Sequence, residues 1–300
     1  MSVTVRAYEH PVDYGRVDQF FRDVYEPSDR LFNWLQPRWE YMHAHPFIEN
    51  VDLSSIAVFE DDGEIVGLAH PEDKPAFVFF QRRAGYDHIL PMMFEYADRC
   101  FGGPSITLQR DIIGLSISDF DTAFEQAAAA NGYEMLPEYA GGYSKFMLDK
   151  PLPAAPIPDG FRLQSLADEN DQGKINRCLW RGFDHEGEQP KEEANGPAVA
   201  QGAPNFRKDL TIVAVEPGGN YVSYAGIWLV ADLGFAYVEP VATDPDYRRM
   251  GLGRAAVLET LRSVRDEGAD IAWVGSDQPF YKAIGFATMF RRNLWVKWLD

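Results

Sequence analysis

The sequence predicts an α/β protein of the α+β type, built from two tandem halves of similar make. Three observations lead there. A strand, a tight polar turn and a glycine-rich helix start follow one another in Tyr237 to Ala256, YVEPVATDPDYRRMGLGRAA. The segment Pro151-Leu-Pro-Ala-Ala-Pro-Ile-Pro158 divides the 300 residues almost in half, and its composition favours a stiff, extended linker. The two halves also repeat, faintly, one succession of strands, turns and helices. A hydrophobic content of 46% is ample for two cores of ordinary size.

Taken from the amino terminus, Val5-Arg6-Ala7-Tyr8 parallels the strand-like Phe161-Arg162-Leu163-Gln164. Ser55 to Leu68 places a polar turn between two apolar strands, as Thr211 to Ile227 does later. Asp121 to Tyr133 ends in Gly132-Tyr133 and parallels the region of Gly285-Phe286. Closing strands are expected at Tyr143 to Leu148 and at Leu294 to Leu299. In the second half, Gly160 to Leu163 reads as a first strand. Ala167 to Phe183 reads as a helix with Ile175, Cys178, Leu179 and Phe183 on one face. Leu210 to Val215 and Tyr221 to Val230 flank the turn Pro217-Gly218-Gly219-Asn220 as a hairpin. Tyr237, Val238, Val241 and Ala242 form the next strand, and Asp244-Pro245-Asp246 turns the chain. Val257, Leu258, Leu261 and Val264 then recur at helical spacing, with Gly268 as C-cap.

Charge and composition narrow the function. A net charge of −18 argues against a nucleic-acid or anionic-membrane surface and mildly favours a cationic acceptor such as an amine. The plainer reading of that charge is a solubility surface. No apolar run approaches a membrane span, and the start MSVTVRAYEH has no basic-then-apolar signal region, so a cytoplasmic protein is expected. Cys100 and Cys178 suggest neither a disulfide framework nor a metal site. His43 and His45 have no further ligand at a sensible spacing, so no metal is expected.

The glycine loop carries the chemistry. A helix's first turn has unpaired N–H groups and a partial positive charge, and glycine lets a phosphate approach closely. Arg248, Arg249 and Arg254 flank the turn. No G-x-x-x-x-G-K-[ST] string is present. Gly251-x-Gly253-x-x-Ala256 does fit a dinucleotide fingerprint, but the strand stops near Thr243, well before Gly251. The acid Asp270 opens the next strand, Ile271 to Val274, where that fingerprint needs it to close one.

Arg248-x-x-Gly251-x-Gly253, between this strand and this helix, resembles motif A of the GNAT superfamily of acyltransferases, which holds the pyrophosphate of acetyl-coenzyme A. Phe280-Tyr281-Lys282-Ala283-Ile284-Gly285-Phe286 resembles that family's late Y-x-x-x-G-F signature. The element order β-α-α-β-β-β-α-β-α-β is the family's, and the resemblance covers residues 158 to 300. It implies tandem GNAT-like domains, each a mixed, mostly antiparallel sheet flanked by helices, similar in layout to tandem members such as mycothiol synthase. Residues 1–150 are then a degenerate, non-catalytic domain, 151–158 the linker and 159–300 the catalytic domain. Where the loop should stand in the first half there is Gln81 to His88, with one glycine and an acid. That half is expected to complete a substrate groove or a homodimer.

The resemblance further implies acetyl transfer from acetyl-coenzyme A to a primary amine of a small molecule or peptide, by direct attack in a ternary complex. The absence of a G-x-S-x-G elbow or a Cys-His pair fits that implication. Glu239 is the candidate base, or else an exposed strand carboxylate. Pro240 beside it belongs at a bulge or where pairing has stopped. Tyr281 is the candidate acid for the leaving thiolate, or else wall packing beside Phe280 and Phe286. Backbone groups of Val241 and Ala242 are assigned to pantetheine, and the amides of Met250, Gly251, Leu252, Gly253 and Arg254 to pyrophosphate. Ser276 stands near where the family often has an asparagine. His185, after the first helix, is a candidate acceptor contact, and Glu188 to Arg207 a candidate acceptor lid. The other functional class is a non-catalytic acyl-coenzyme A binder or sensor.

Overall fold

The computed structural model describes residues 3–26, 34–187 and 200–299, and they form two compact units. The first comprises residues 1–43, 47–142 and 290–300, and the second residues 44–46 and 143–289. This differs from the division expected at 151–158. Tyr143 to Leu148 group with the second unit, and the end of the chain groups with the first.

The first unit carries β1 (Thr4–Ala7), α1 (Tyr14–Asp23), α2 (Gln36–Ala44), β2 (Ala57–Asp61), β3 (Glu64–Pro71), β4 (Phe77–Arg82), α3 (Leu90–Cys100), β5 (Gly103–Ser105), β6 (Arg110–Ser118) and α4 (Thr122–Ala130). The β2–β3 hairpin turns on Asp62-Gly63, both at positive φ (50° and 83°), the pairing that two-residue hairpins favour. The sheet runs β1, β2, β3, β4, β6, and β6 then takes residues 292–298 of β13 (Ala287–Trp298) as its next, antiparallel strand. Only β4 and β6 pair in parallel among these neighbours. Where a glycine loop would stand, Arg82 is held instead by both oxygens of Asp121 at 2.8 Å and by Asp87 at 2.7 Å.

One core cluster of this unit stores a proton linkage. His70, fully buried, lies 4.4 Å from the Trp34 ring and stacks on Phe79; its Nδ1–H donates to the Pro71 carbonyl and its Nε2 accepts from Gln81. Burial pushes its imidazole down to about 3, and burial likewise lowers His43 to about 4. Both folded-state values lie below the unfolded one of about 6.5, so the unfolded chain binds more protons as the pH falls. Stability is therefore complete above about pH 6.5 and is lost towards pH 4, on the order of 5 kcal/mol in total. Denaturant midpoints followed by tryptophan fluorescence across that range should fall, and His70→Phe should remove much of the slope.

The second unit carries the end of β7 (Glu134–Met147), β8 (Arg162–Ser165), α5 (Gln172–Gly182), β9 (Ile212–Val215), β10 (Tyr221–Val230), β11 (Phe235–Thr243), α6 (Leu252–Asp266), β12 (Ile271–Val274) and α7 (Pro279–Ile284). The helix expected from Ala167 starts later, at Gln172, because the Asp171 carboxylate accepts from the Lys174 amide and caps it there. The sheet runs β7, β12, β11, β10, β9, β8; β11 and β12 are parallel across α6, and the other neighbours antiparallel. Ala256, Val257, Leu258, Leu261 and Val264 of α6 are buried against Ile227, Val238 and Ala272 of the sheet.

The proline-rich segment is not a free spacer. Leu152 and Ala155 pack on the core of the second unit, and the carbonyls of Pro153 and Ala154 accept from Arg262 and Arg254 of α6. Its extended backbone leaves those carbonyls available to side chains, which is why arginines a helical turn or two apart can clasp it.

Candidate active site

The site is built where β11 loses regular pairing. Ala225 of β10 pairs with Val241 and Ile227 with Val238, so Glu239 and Pro240 together face Gly226 in a β-bulge. The sequence places a bulge here, since proline offers no N–H to a ladder. Gly226 was not legible in the strand pattern, yet a Cβ on it would stand 2.5 Å from the Glu239 carbonyl oxygen and 2.9 Å from Pro240 Cδ. On the other edge, β12 pairs from Phe235–Ile271 to Tyr237–Trp273 and no further. From Val238 onward β11 therefore has no β12 partner. Val241 and Ala242 lie on this stretch, with Ala242 also accepting from the Ser223 hydroxyl at 3.0 Å.

Glu239 is half-buried at the bulge. Tyr281, on α7, is 9% exposed and meets Phe280 and Phe286 edge-on at 5.0 and 5.7 Å. Burial pushes its phenol above the ordinary tyrosine range, and the negative charge of Glu239 adds to the push. Two residues 42 positions apart in sequence are thus within each other's field, and the phenol stays protonated at neutral pH. The ring contacts are those the wall-packing reading of Tyr281 expects.

The loop before α6 is shaped by two left-handed residues, Arg249 (φ 66°) and Gly251 (φ 84°). Gly251 is the N-cap and is exposed, and no side chain caps the helix. Its first-turn amides therefore have no side-chain cap acceptor, at the positive end of a 15-residue helix. The second glycine serves packing, because a Cβ on Gly253 would lie 2.7 Å from Thr243 Oγ1. Gly253 brings the helix onto the strand end, while Gly251 shapes the turn. Leu252 is buried in the core and Met250 is exposed.

Other expected residues are placed less simply. The Arg248 guanidinium donates to the carbonyls of Thr243 and Gly182 and to Asp184 (2.8 Å). Arg248 thus ties the end of α5 to the loop and does not stand clear of the protein. Arg254 is engaged by Ala154 (3.0 Å), and the Ser276 hydroxyl accepts from the Gln278 amide in its own turn. His185 is exposed and stacks on Trp180, with ring centroids 4.2 Å apart. Residues 188–199 of the expected lid lie outside the described residues.

Sequence reasoning treated Asp244 as a turn former only. It is fully buried and accepts from Arg181 Nε at 2.6 Å and Nη2 at 2.9 Å, with Arg177 at 3.4 Å. Burial raises its carboxyl, but Arg181, the Asp246 amide and Arg177 outweigh that and hold it below the usual carboxylate range. The pair fixes the end of β11 against α5. An arginine four residues after another, facing an Asp-Pro turn, was the available signal. Cys178 on the same helix is buried, which pushes its thiol up to about 12 and leaves it no thiolate at neutral pH. Among the described residues no group of three His, Cys, Asp or Glu side chains is placed to hold a metal ion, and no helix is long and apolar enough to cross a membrane.

With this geometry in view, comparison with known families gives one match: residues 175–288 fit the model of the acetyltransferase (GNAT) family. That stretch, less than half of the chain, is similar to the GNAT family. Solved structures extend the GNAT fold to the whole chain. A tandem GNAT protein from the clavulanic acid biosynthesis pathway aligns over 99% of this chain and 98% of its own, with TM-score 0.65 at 15% identity. A GCN5-related N-acetyltransferase from Sphaerobacter thermophilus covers 99% and 95%, with TM-score 0.62 at 17% identity. A GNAT-family acetyltransferase from Colwellia psychrerythraea covers 99% and 100%, with TM-score 0.59 at 9% identity. Comparison with curated proteins gave no significant match. The tandem GNAT fold expected from the glycine loop and the repeat is present, and the stretch that matches the family model contains both Glu239 and Tyr281.

Proposed function

We propose that this protein is an acetyl-coenzyme A-dependent N-acetyltransferase acting on a primary amine of a small molecule or peptide. The observation that carries the reading is the pairing of an uncapped helix N-terminus at Gly251 with a carboxylate and a phenol, Glu239 and Tyr281, at the neighbouring unpaired stretch of β11. The family generally uses acetyl-coenzyme A, and the chain has groups that suit two of its parts. The amides of residues 250–254 suit the pyrophosphate, and the free edge of Val241 and Ala242 suits the pantetheine amides.

An alkyl ammonium, with a pKa near about 10, cannot attack a thioester until it loses a proton. Glu239, directly or through a water, takes that proton. The freed nitrogen bonds to the acetyl carbon, the carbon–sulfur bond breaks, and Tyr281 gives its phenolic proton to the departing sulfur. The second proton lost by the nitrogen as the amide forms restores the Tyr281 phenol. Burial of Tyr281 serves this role by keeping the proton on until a strong base forms beside it.

Gly251→Asp tests the anchoring step. An aspartate at an N-cap turns its carboxylate onto the first-turn amides and occupies the place of the phosphate. Calorimetry with coenzyme A should show affinity reduced by about 100-fold or more, from the loss of two or so charge-assisted hydrogen bonds and added repulsion. The melting temperature should hold, because the cap offsets the strain of a left-handed aspartate. Undiminished binding would remove the loop from the site. Gly253→Glu is the poorer test, since the clash with Thr243 disturbs packing first. Coenzyme A binding without thiol release across an amine panel would favour the non-catalytic acyl-coenzyme A binder instead.

A further inference from the structure

At the bulge the Glu239 carbonyl has lost its place in the ladder, and Pro240 gives no N–H beyond it. A carbonyl that has left its ladder takes a donor from elsewhere. The donor is the indole of Trp228, on the neighbouring strand, whose Nε1–H lies 3.0 Å from the Glu239 oxygen. Trp228 is 1% exposed, and its backbone pairs with Tyr237 in the regular part of the ladder. Phe206 bridges to it and meets its ring edge-on at 5.6 Å. The indole is thus a rigid arm, fixed at both ends, reaching back over the irregular step. Gly226 supplies the space on the other side, where any Cβ would push the same oxygen away.

We infer that Trp228 is a positioning residue for Glu239: its N–H fixes the bulged peptide and so sets where the carboxylate points. The inference rests on the reading of Glu239 as the base. A base works only within hydrogen-bond reach of its proton, so a small rotation of the Glu239–Pro240 peptide moves the carboxylate out of range. The indole's hydrogen bond belongs to the main chain, while its consequence is felt by the side chain.

The test is a cycle of variants followed by thiol release from acetyl-coenzyme A, with the fastest member of a panel of primary amines (ethanolamine, glucosamine, spermidine and glycinamide). Trp228→Phe removes the donor and part of the ring. Site-specific 3-benzothienylalanine at position 228 keeps the ring's shape and puts sulfur where the N–H stands, so folding is preserved. Either change should lower kcat by about 10- to 100-fold while the acceptor KM and the Kd of coenzyme A stay within about twofold. In a Glu239→Gln background the same change should have almost no further effect on kcat, because the group being positioned is gone. Losses that multiply in the double variant, or full activity with the sulfur analogue, overturn the positioning role while leaving the base reading intact. A fully active Glu239→Gln single variant, or no thiol release with any amine, removes the base reading and this inference together.

Discussion

Glu239→Gln is expected to slow acetyl transfer by about 10²–10⁴-fold, the usual span for removing a general base. The amide is nearly isosteric, so the bulge, the Trp228 contact and coenzyme A affinity should persist, and the loss should fall on kcat. The residual activity should carry its own signature. Without a base, the enzyme can use only amine that has already lost its proton in solution. Its rate should then climb about tenfold per pH unit up to the pKa of the amine, where the parent enzyme shows a flatter profile. Tyr281→Phe should keep coenzyme A binding, since its ring still packs on Phe280 and Phe286, and lower kcat through a poorer leaving thiolate. Normal turnover in both variants would end the catalytic assignments and leave the fold untouched.

The second large effect concerns where the chain can be cut. A fragment of residues 159–300, the sequence's own second half, should fail to fold cooperatively, while residues 143–289 should fold and bind coenzyme A. Cutting at 159 strips β12 of its antiparallel neighbour, which pairs Met147 with Ile271 through to Ser144 with Val274. It deletes Leu148, 3% exposed, and Phe146, which meets Phe286 at 5.4 Å. It also removes the carbonyls that hold Arg254 and Arg262. One buried leucine is worth about 2–5 kcal/mol and a whole domain about 5–15 kcal/mol, so the combined loss exceeds what the unit can spare. Residues 290–300 belong to the other unit, where residues 292–298 pair with β6. Circular dichroism melts of the two fragments decide the matter. A sharp transition for 159–300 matching that of 143–289 would refute the assignment of Tyr143 to Leu148.

Much of the site was legible because its signals are local. Arg248-x-x-Gly251-x-Gly253 needs only the order of residues, and Glu239-Pro240 announces an interrupted strand wherever it stands. The rest depends on contacts between distant residues. No spacing rule links Trp228 to Glu239, or Arg181 to Asp244, and Gly226 reads as an ordinary weak spot in a strand until Pro240 is placed over it. Arg248 reads as a phosphate ligand by position, and no spacing rule shows that its Nε and Nη2 donate to the carbonyls of Thr243 and Gly182 and to the Asp184 carboxylate.

By itself the sequence determined the elements, the glycine turn and the fold of the second half, since turn chemistry, capping and hydrophobic period act over a few residues. Only the tertiary structure decided which strands share a sheet. The closing strands at Tyr143 and Leu294 look alike as sequence, because any apolar strand can satisfy any open edge through the same backbone groups. Which edge each takes is set by the side chains it must bury there, Phe146 and Leu148 beside Phe286 in one unit and Val296 beside Ile112 in the other. Packing of that kind exists only between residues far apart in the chain.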